Sequence, residues 1–156
     1  MKVLVTGASS LLGRSVVERL VDRGDTVSVL QRRPSGLRVG EHLGDITDRR
    51  VVGKSMAGAE AVVHLAARVA VTGSWTDFET VNVHGTRNVV EAARAADVGR
   101  FVQVSSPSVA YRGESLVGAP AEPADPFRAR GNYARSKASS ELLALAADSP
   151  DMAVVA

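Results

Sequence analysis

The sequence predicts an α/β fold, a doubly wound parallel sheet with helices on both faces, and three observations carry that expectation. Short apolar runs alternate with longer segments of helical period from the first residue onward, which is the pattern of βαβ units. Hydrophobic residues make up 45% of the chain but aromatics only 4%, so the core is built of Val, Ala and Leu, as suits helices on a buried parallel sheet. A glycine-bearing turn follows the first apolar run directly.

Each element follows in order. Val3 to Thr6 reads as the first strand, and Leu12, Val16, Val17 and Leu20 lay one apolar stripe along a helix that Gly24 ends. Thr26 to Gln31 is a second strand rich in β-branched residues, followed by a loop over Arg32 to Gly36. A weak third strand runs through Arg38 to Leu43. A short helix covers Asp48 to Met56, a fourth strand Ala61 to Leu65, and a long helix Asp77 to Ala96. Phe101 to Ser105 is the fifth strand. Pro107, Pro120, Pro123 and Pro126 then exclude regular structure and predict a long surface loop reaching about Arg130. Tyr133 to Ala147 is a helix, and Met152 to Ala156 begins a sixth apolar strand on which the sequence stops. A domain rarely finishes on an interior strand without a polar tail, so residues 1–156 are expected to be the N-terminal part of a longer protein.

Composition narrows the function. The net charge is +2, the arginines are spread along the chain beside Asp and Glu, and Lys2, Lys54 and Lys137 are the only lysines, so no basic face for nucleic acid is expected. With no Cys there is no disulfide and no thiolate chemistry, and a cytoplasmic location is the default. The apolar run Val3 to Val5 is too short for a signal sequence, and no stretch nears the ~20 apolar residues of a membrane helix. His42, His64 and His84 lack paired-ligand spacing, so no metal site is expected, and His64 reads as structural.

The segment Thr6-Gly7-Ala8-Ser9-Ser10-Leu11-Leu12-Gly13 stands where a strand turns into a helix. Gly7 permits the tight turn, helix-start N–H groups face a pyrophosphate, and Gly13 lets helix and strand approach closely, as in the Rossmann dinucleotide fold. Ser10 replaces the middle glycine; its Cβ crowds the pyrophosphate or its hydroxyl donates to it. At the end of the second strand, where an acid would bind the ribose of NAD, stands Gln31 followed by Arg32 and Arg33, whose guanidinium forks suit the 2′-phosphate of NADP. NADP is therefore expected in preference to NAD.

TGASSLLG, Gly44-Asp45, HLAA at 64–67, NVHGT at 82–86 and YARSK at 133–137, in that order over the whole chain, resemble the extended short-chain dehydrogenase/reductase family. The resemblance implies a Rossmann-type NAD(P)-binding domain, here with its substrate lobe missing. It implies cofactor contacts from Gly7, Ser9, Ser10, Leu11, Gly13, Arg32, Arg33, Asp45, Ile46, Leu65, Ala66, Ala67, Tyr133 and Lys137, with Asp45 on the adenine amino group. Tyr133 and Lys137 lie four residues apart, so a helix projects both from one face. A phenol with a pKa near ~10 is a poor base at neutral pH, and an adjacent ammonium favours the phenolate. The family pattern S-x-x-V, ending at Val109, selects Ser106 over Ser105 and Ser108 as the hydroxyl that binds the substrate oxygen. It also makes Asn82 a supporting polar residue near the site.

SSPSVA looks more like the 3β-hydroxysteroid dehydrogenase-like branch than the branch that reads VYG. The expected function is hydride transfer between a nicotinamide cofactor and a small-molecule alcohol or ketone, in a protein expected to form a homodimer. The alternatives are a sugar-nucleotide epimerase or dehydratase on the same scaffold and a non-catalytic NADP(H)-binding sensor or scaffold. The latter has no reason to keep Tyr and Lys one turn apart.

Overall fold

A computed structural model describes residues 1–111, 117–118 and 123–156; Pro120 and the neighbouring part of the predicted proline-rich loop lie outside them. In chain order the elements are β1 (Lys2–Thr6), α1 (Leu11–Asp22), β2 (Thr26–Gln31), β3 (Gly40–Leu43), α2 (Arg49–Ser55), β4 (Ala61–His64), α3 (Trp75–Phe78), a π-helical segment (Glu79–Gly85), α4 (Thr86–Ala95), β5 (Arg100–Gln103), a 3₁₀ turn (Pro107–Ala110), α5 (Asn132–Leu145) and β6 (Ala153–Val155).

The six strands form one sheet in the order β3-β2-β1-β4-β5-β6, with every neighbouring pair parallel. Strand order reverses beside β1, where Thr6 pairs with Leu30 on one side and His64 on the other. In such sheets a crevice opens at the carboxyl ends of the strands at that point.

Central strands are apolar on both faces. Leu4, Leu30, Val62 and Phe101 enter a core closed by Val52, Val89, Val90 and Ala144 of α2, α4 and α5. Val3, Val5, Val27 and Val29 pack instead on Val17 of α1. Helices therefore cover both faces, although Val102 and Val155 on the outer strands stay exposed.

Local chemistry sets the boundaries. The Asp48 carboxylate caps α2 by accepting from the N–H groups of Arg50 and Val51. Gly24 follows α1 at φ +89°, a conformation an L side chain resists. The helix expected over Asp77 to Ala96 starts earlier, where Ser74 and Asp77 form a capping box, and its middle widens into the π-helical segment. Gly85 permits this, because a Cβ there would stand 2.6 Å from Ile46 Cδ1. Strand β5 is shorter than expected: the Val104 carbonyl accepts from Lys137 Nζ at 2.7 Å instead of extending the ladder.

Candidate functional site

A cleft of about 400 Å³ opens at the carboxyl ends of β1, β2 and β4. Of the residues expected from sequence, Gly7, Ser9, Ser10, Arg32, Asp45, Ile46, Leu65, Ala66 and Ala67 line it. Leu11, Gly13, Arg33, Tyr133 and Lys137 stand outside its lining. Leu30, Gln31, Gly44, Arg68, Val69 and Val81 complete the wall. Strand register is the signal that could have found several of them, because the residues following Thr6, Leu30 and His64 must emerge at one edge.

The turn from β1 to α1 leaves room for backbone alone. Gly7 has φ +75°, and a Cβ there would lie 2.7 Å from the Ala66 nitrogen; at Gly13 it would lie 2.4 Å from the Gly7 carbonyl oxygen. Both obstacles are backbone, so Gly13→Ala is expected to destabilise the fold by about 1–3 kcal/mol, measured by urea denaturation. A change within the error of that measurement would show that the turn can shift. The Ser10 hydroxyl donates to the Gly7 carbonyl at 2.9 Å and accepts from the Gly13 N–H at 3.0 Å. It is spent as the helix cap rather than offered to a phosphate. The N–H groups of Leu11 and Leu12, with no intrahelical acceptor to reach, are left at the mouth of α1, whose first turn holds no acidic residue.

At the β2 end, Gln31 Nε2 donates to Glu41 Oε1 at 2.8 Å, and the same oxygen accepts from the Ser35 N–H and hydroxyl. These bonds, led by the Ser35 backbone, hold the Glu41 carboxyl below its ordinary pKa. The Glu41 charge is thus engaged within the loop, while Arg32 and Arg33 are exposed beside it. Asp45 Oδ1 accepts from the N–H and hydroxyl of Thr47, both at 2.9 Å.

Helix α5 carries Tyr133 and Lys137 one turn apart. The Tyr133 ring is held edge-on to buried Phe78, with centroids 6.4 Å apart. Lys137 is 4% exposed, and desolvation brings its pKa down to about 8, against the opposing pull of Glu141. Its bond to Val104 anchors it at the β5 end, where Ser105 donates to Glu141. Ser106 caps the 3₁₀ turn through the Ser108 N–H, and its Oγ stands 2.8 Å from Ser108 Oγ.

Between cleft and α5 runs a buried polar array. Thr6 Oγ1 meets His64 Nδ1 at 2.6 Å, His64 Nε2 meets Thr86 Oγ1 at 3.0 Å, and Asn82 joins Arg68 to Ser136. Asn82 thus ties Arg68 of the cleft wall to Ser136 of α5. His64 is fully buried in this array, with burial first and the Lys137 charge second lowering its pKa to about 3. Among the described residues no cluster of His, Asp or Glu could hold a metal ion, and no helix is long and apolar enough to cross a membrane.

Residues 3–155 match the model of the NAD dependent epimerase/dehydratase family. The chain is 38% identical to a 2-alkyl-3-oxoalkanoate reductase of Stenotrophomonas maltophilia over 100% of its own length and 49% of that protein. It is 36% identical to a 3β-hydroxysteroid dehydrogenase/Δ5→4-isomerase of Mycobacterium tuberculosis over 96% of itself and 44% of that protein. A solved short-chain dehydrogenase/reductase superfamily protein from Agrobacterium tumefaciens with bound NAD superposes with a TM-score of 0.88, at 32% identity, covering 99% of this chain and 48% of that one. The chain thus spans about half the length of the relatives it matches.

Proposed function

Because the chain belongs to the NAD dependent epimerase/dehydratase family, we propose that it forms the cofactor-binding part of an NAD(P)-dependent oxidoreductase that interconverts a ketone and an alcohol. The observation that carries this reading is that Asn82 joins cleft wall to helix: a backbone-lined turn stands at the strand reversal, and Arg68 beside it is tied through Asn82 to Ser136 of α5, the helix that carries Tyr133 and Lys137 one turn apart. The residues fit a dinucleotide. Gly7, Ser9 and the N–H groups of Leu11 and Leu12 would hold the pyrophosphate, with Gly13 keeping α1 against β1. Asp45 and Ile46 would flank the adenine, and Leu65, Ala66 and Ala67 would form the opposite wall. When bound, the nicotinamide supplies the hydride.

The chain's own residues supply the rest. Tyr133 gives the substrate oxygen its proton, Ser106 donates a hydrogen bond to that oxygen as charge develops, and the Lys137 ammonium favours the tyrosinate that remains. With a pKa of about 8, Lys137 keeps most of its charge at neutral pH. A 2-alkyl-3-oxoalkanoate, the class named for one relative, heads the panel of ketones to be assayed by NADPH oxidation, beside the ketone that corresponds to the 3β-hydroxysteroid named for another. The family's epimerases and dehydratases favour a second reading, which UDP-sugars test, since redox-neutral turnover leaves no lasting change in NADPH absorbance.

NADPH is the expected cofactor, because Arg32 lines the cleft and Arg33 stands exposed beside it, while Glu41 is engaged by Gln31 and Ser35. Fluorescence titration is expected to give a lower Kd for NADPH than for NADH. Replacing both arginines by Ala is expected to erase the difference. Tighter NADH binding, or a ratio unmoved by the double replacement, overturns the preference.

A further inference from the structure

The buried array can be read one hydrogen at a time. Thr86 Oγ1 donates to the Asn82 carbonyl at 2.6 Å, and a hydroxyl has one hydrogen to give. Toward His64 Nε2 it must therefore accept, so Nε2 carries the imidazole hydrogen. Nδ1 is then bare in the neutral ring and accepts from the Thr6 hydroxyl. Thr6 Oγ1 in turn accepts from the Ala66 N–H at 3.1 Å. Asn82 Oδ1 accepts from the Arg68 N–H at 2.7 Å, and its Nδ2 donates to the Arg68 carbonyl at 3.1 Å and to Ser136 Oγ at 2.8 Å. The Ser136 hydroxyl passes its hydrogen to the Tyr133 carbonyl at 2.8 Å. Every donor is used in one sense, from Thr6 through to α5.

The array touches the cleft at two places. Ala66 and Arg68 both line it, and their backbone is pinned by Thr6 and by Asn82. His64, the last residue of β4, is the joint between the two pins. We propose that His64, fixed as the neutral Nε2–H tautomer, is a positioning residue that sets the cleft wall of residues 65–68 against the helix bearing Tyr133 and Lys137. This rests on the reading that the cleft takes the cofactor. His64 touches neither cofactor nor substrate; its effect passes through Thr6 and Thr86.

The test separates the joint from the site. Thr86→Val keeps the side chain's shape but removes both the acceptor for Nε2–H and the donor to Asn82, whereas Thr86→Ser keeps the hydroxyl. Thr86→Val is expected to weaken NADPH binding about tenfold and to speed amide exchange at Ala66 and Arg68, the loss of a buried partner being of that order. Thr86→Ser is expected to restore both. A role in stability alone would lower the melting temperature without moving the Kd of the folded protein.

The tautomer is read on the unmodified chain by ¹⁵N NMR. Nε2 is expected to carry the hydrogen and Nδ1 to stay bare from about pH 8 to about pH 5, the range in which an exposed His titrates. A hydrogen on Nδ1, a titration within that range, or a folded Thr86→Val protein with unchanged Kd and exchange rates each overturns the inference. If the unmodified chain binds neither nucleotide, the functional reading fails, and the tautomer and the exchange rates still decide whether His64 sets the wall.

Discussion

Replacing Tyr133 by Phe is expected to lower turnover by about 10² to 10⁴, the range for loss of a general acid or base, while cofactor affinity stays unchanged. The variant removes one oxygen and leaves the packing. The edge-on contact with Phe78 involves the ring alone, and the Ser136 bond falls on the Tyr133 backbone carbonyl. Neither depends on the phenol. Steady-state NADPH oxidation with the best ketone of the panel, beside a fluorescence titration of cofactor, separates chemistry from binding. Unchanged turnover would assign the proton to another group, and loss of cofactor binding would make Tyr133 an architectural residue.

Acid is expected to unfold the chain through His64. Its pKa is about 3 in the fold against an ordinary 6.5, so between those values the unfolded chain holds a proton that the native one refuses. Stability therefore falls as pH drops through this window, by about 1.4 kcal/mol per unit and by about 4–5 kcal/mol across it. Lys137 is charged in both states there and adds no slope; its own lowered pKa makes stability rise with pH between about 8 and 10.5. Asp25 and Glu41, also lowered, lose their contribution only as their carboxylates protonate below 3.8 and 4.5. Urea denaturation of the parent and of His64→Gln isolates the histidine, because only the parent should steepen from about pH 6 downward. Parallel pH profiles would show that His64 takes up its proton without unfolding.

What the sequence revealed and what it hid divide along physical lines. The β2 limits could be read at both ends because alternating β-branched residues are bounded by turn formers. The tight turn at Gly7 and the close approach at Gly13 were legible from the glycine spacing after the first strand. The π-helical segment was not, since it depends on Gly85 meeting Ile46 from another layer. Nor was the fate of the Ser10 hydroxyl, expected to crowd or to donate to a phosphate, because its bonds to the Gly7 carbonyl and the Gly13 N–H depend on how the turn closes. Arg68, Val69 and Val81 joined the cleft only through the stacking of strand ends and helices.

The all-parallel ladder also governs how the chain must assemble. No two neighbouring strands are joined by a hairpin, so every pairing closes a long loop, and the bond between Thr6 and His64 spans 58 residues. Such pairings lose loop entropy before contacts compensate, which slows folding. Of the six strands β1 is made first yet keeps one edge bare until β4 has been made, so a strand buried along nearly its whole length waits longest for its second neighbour.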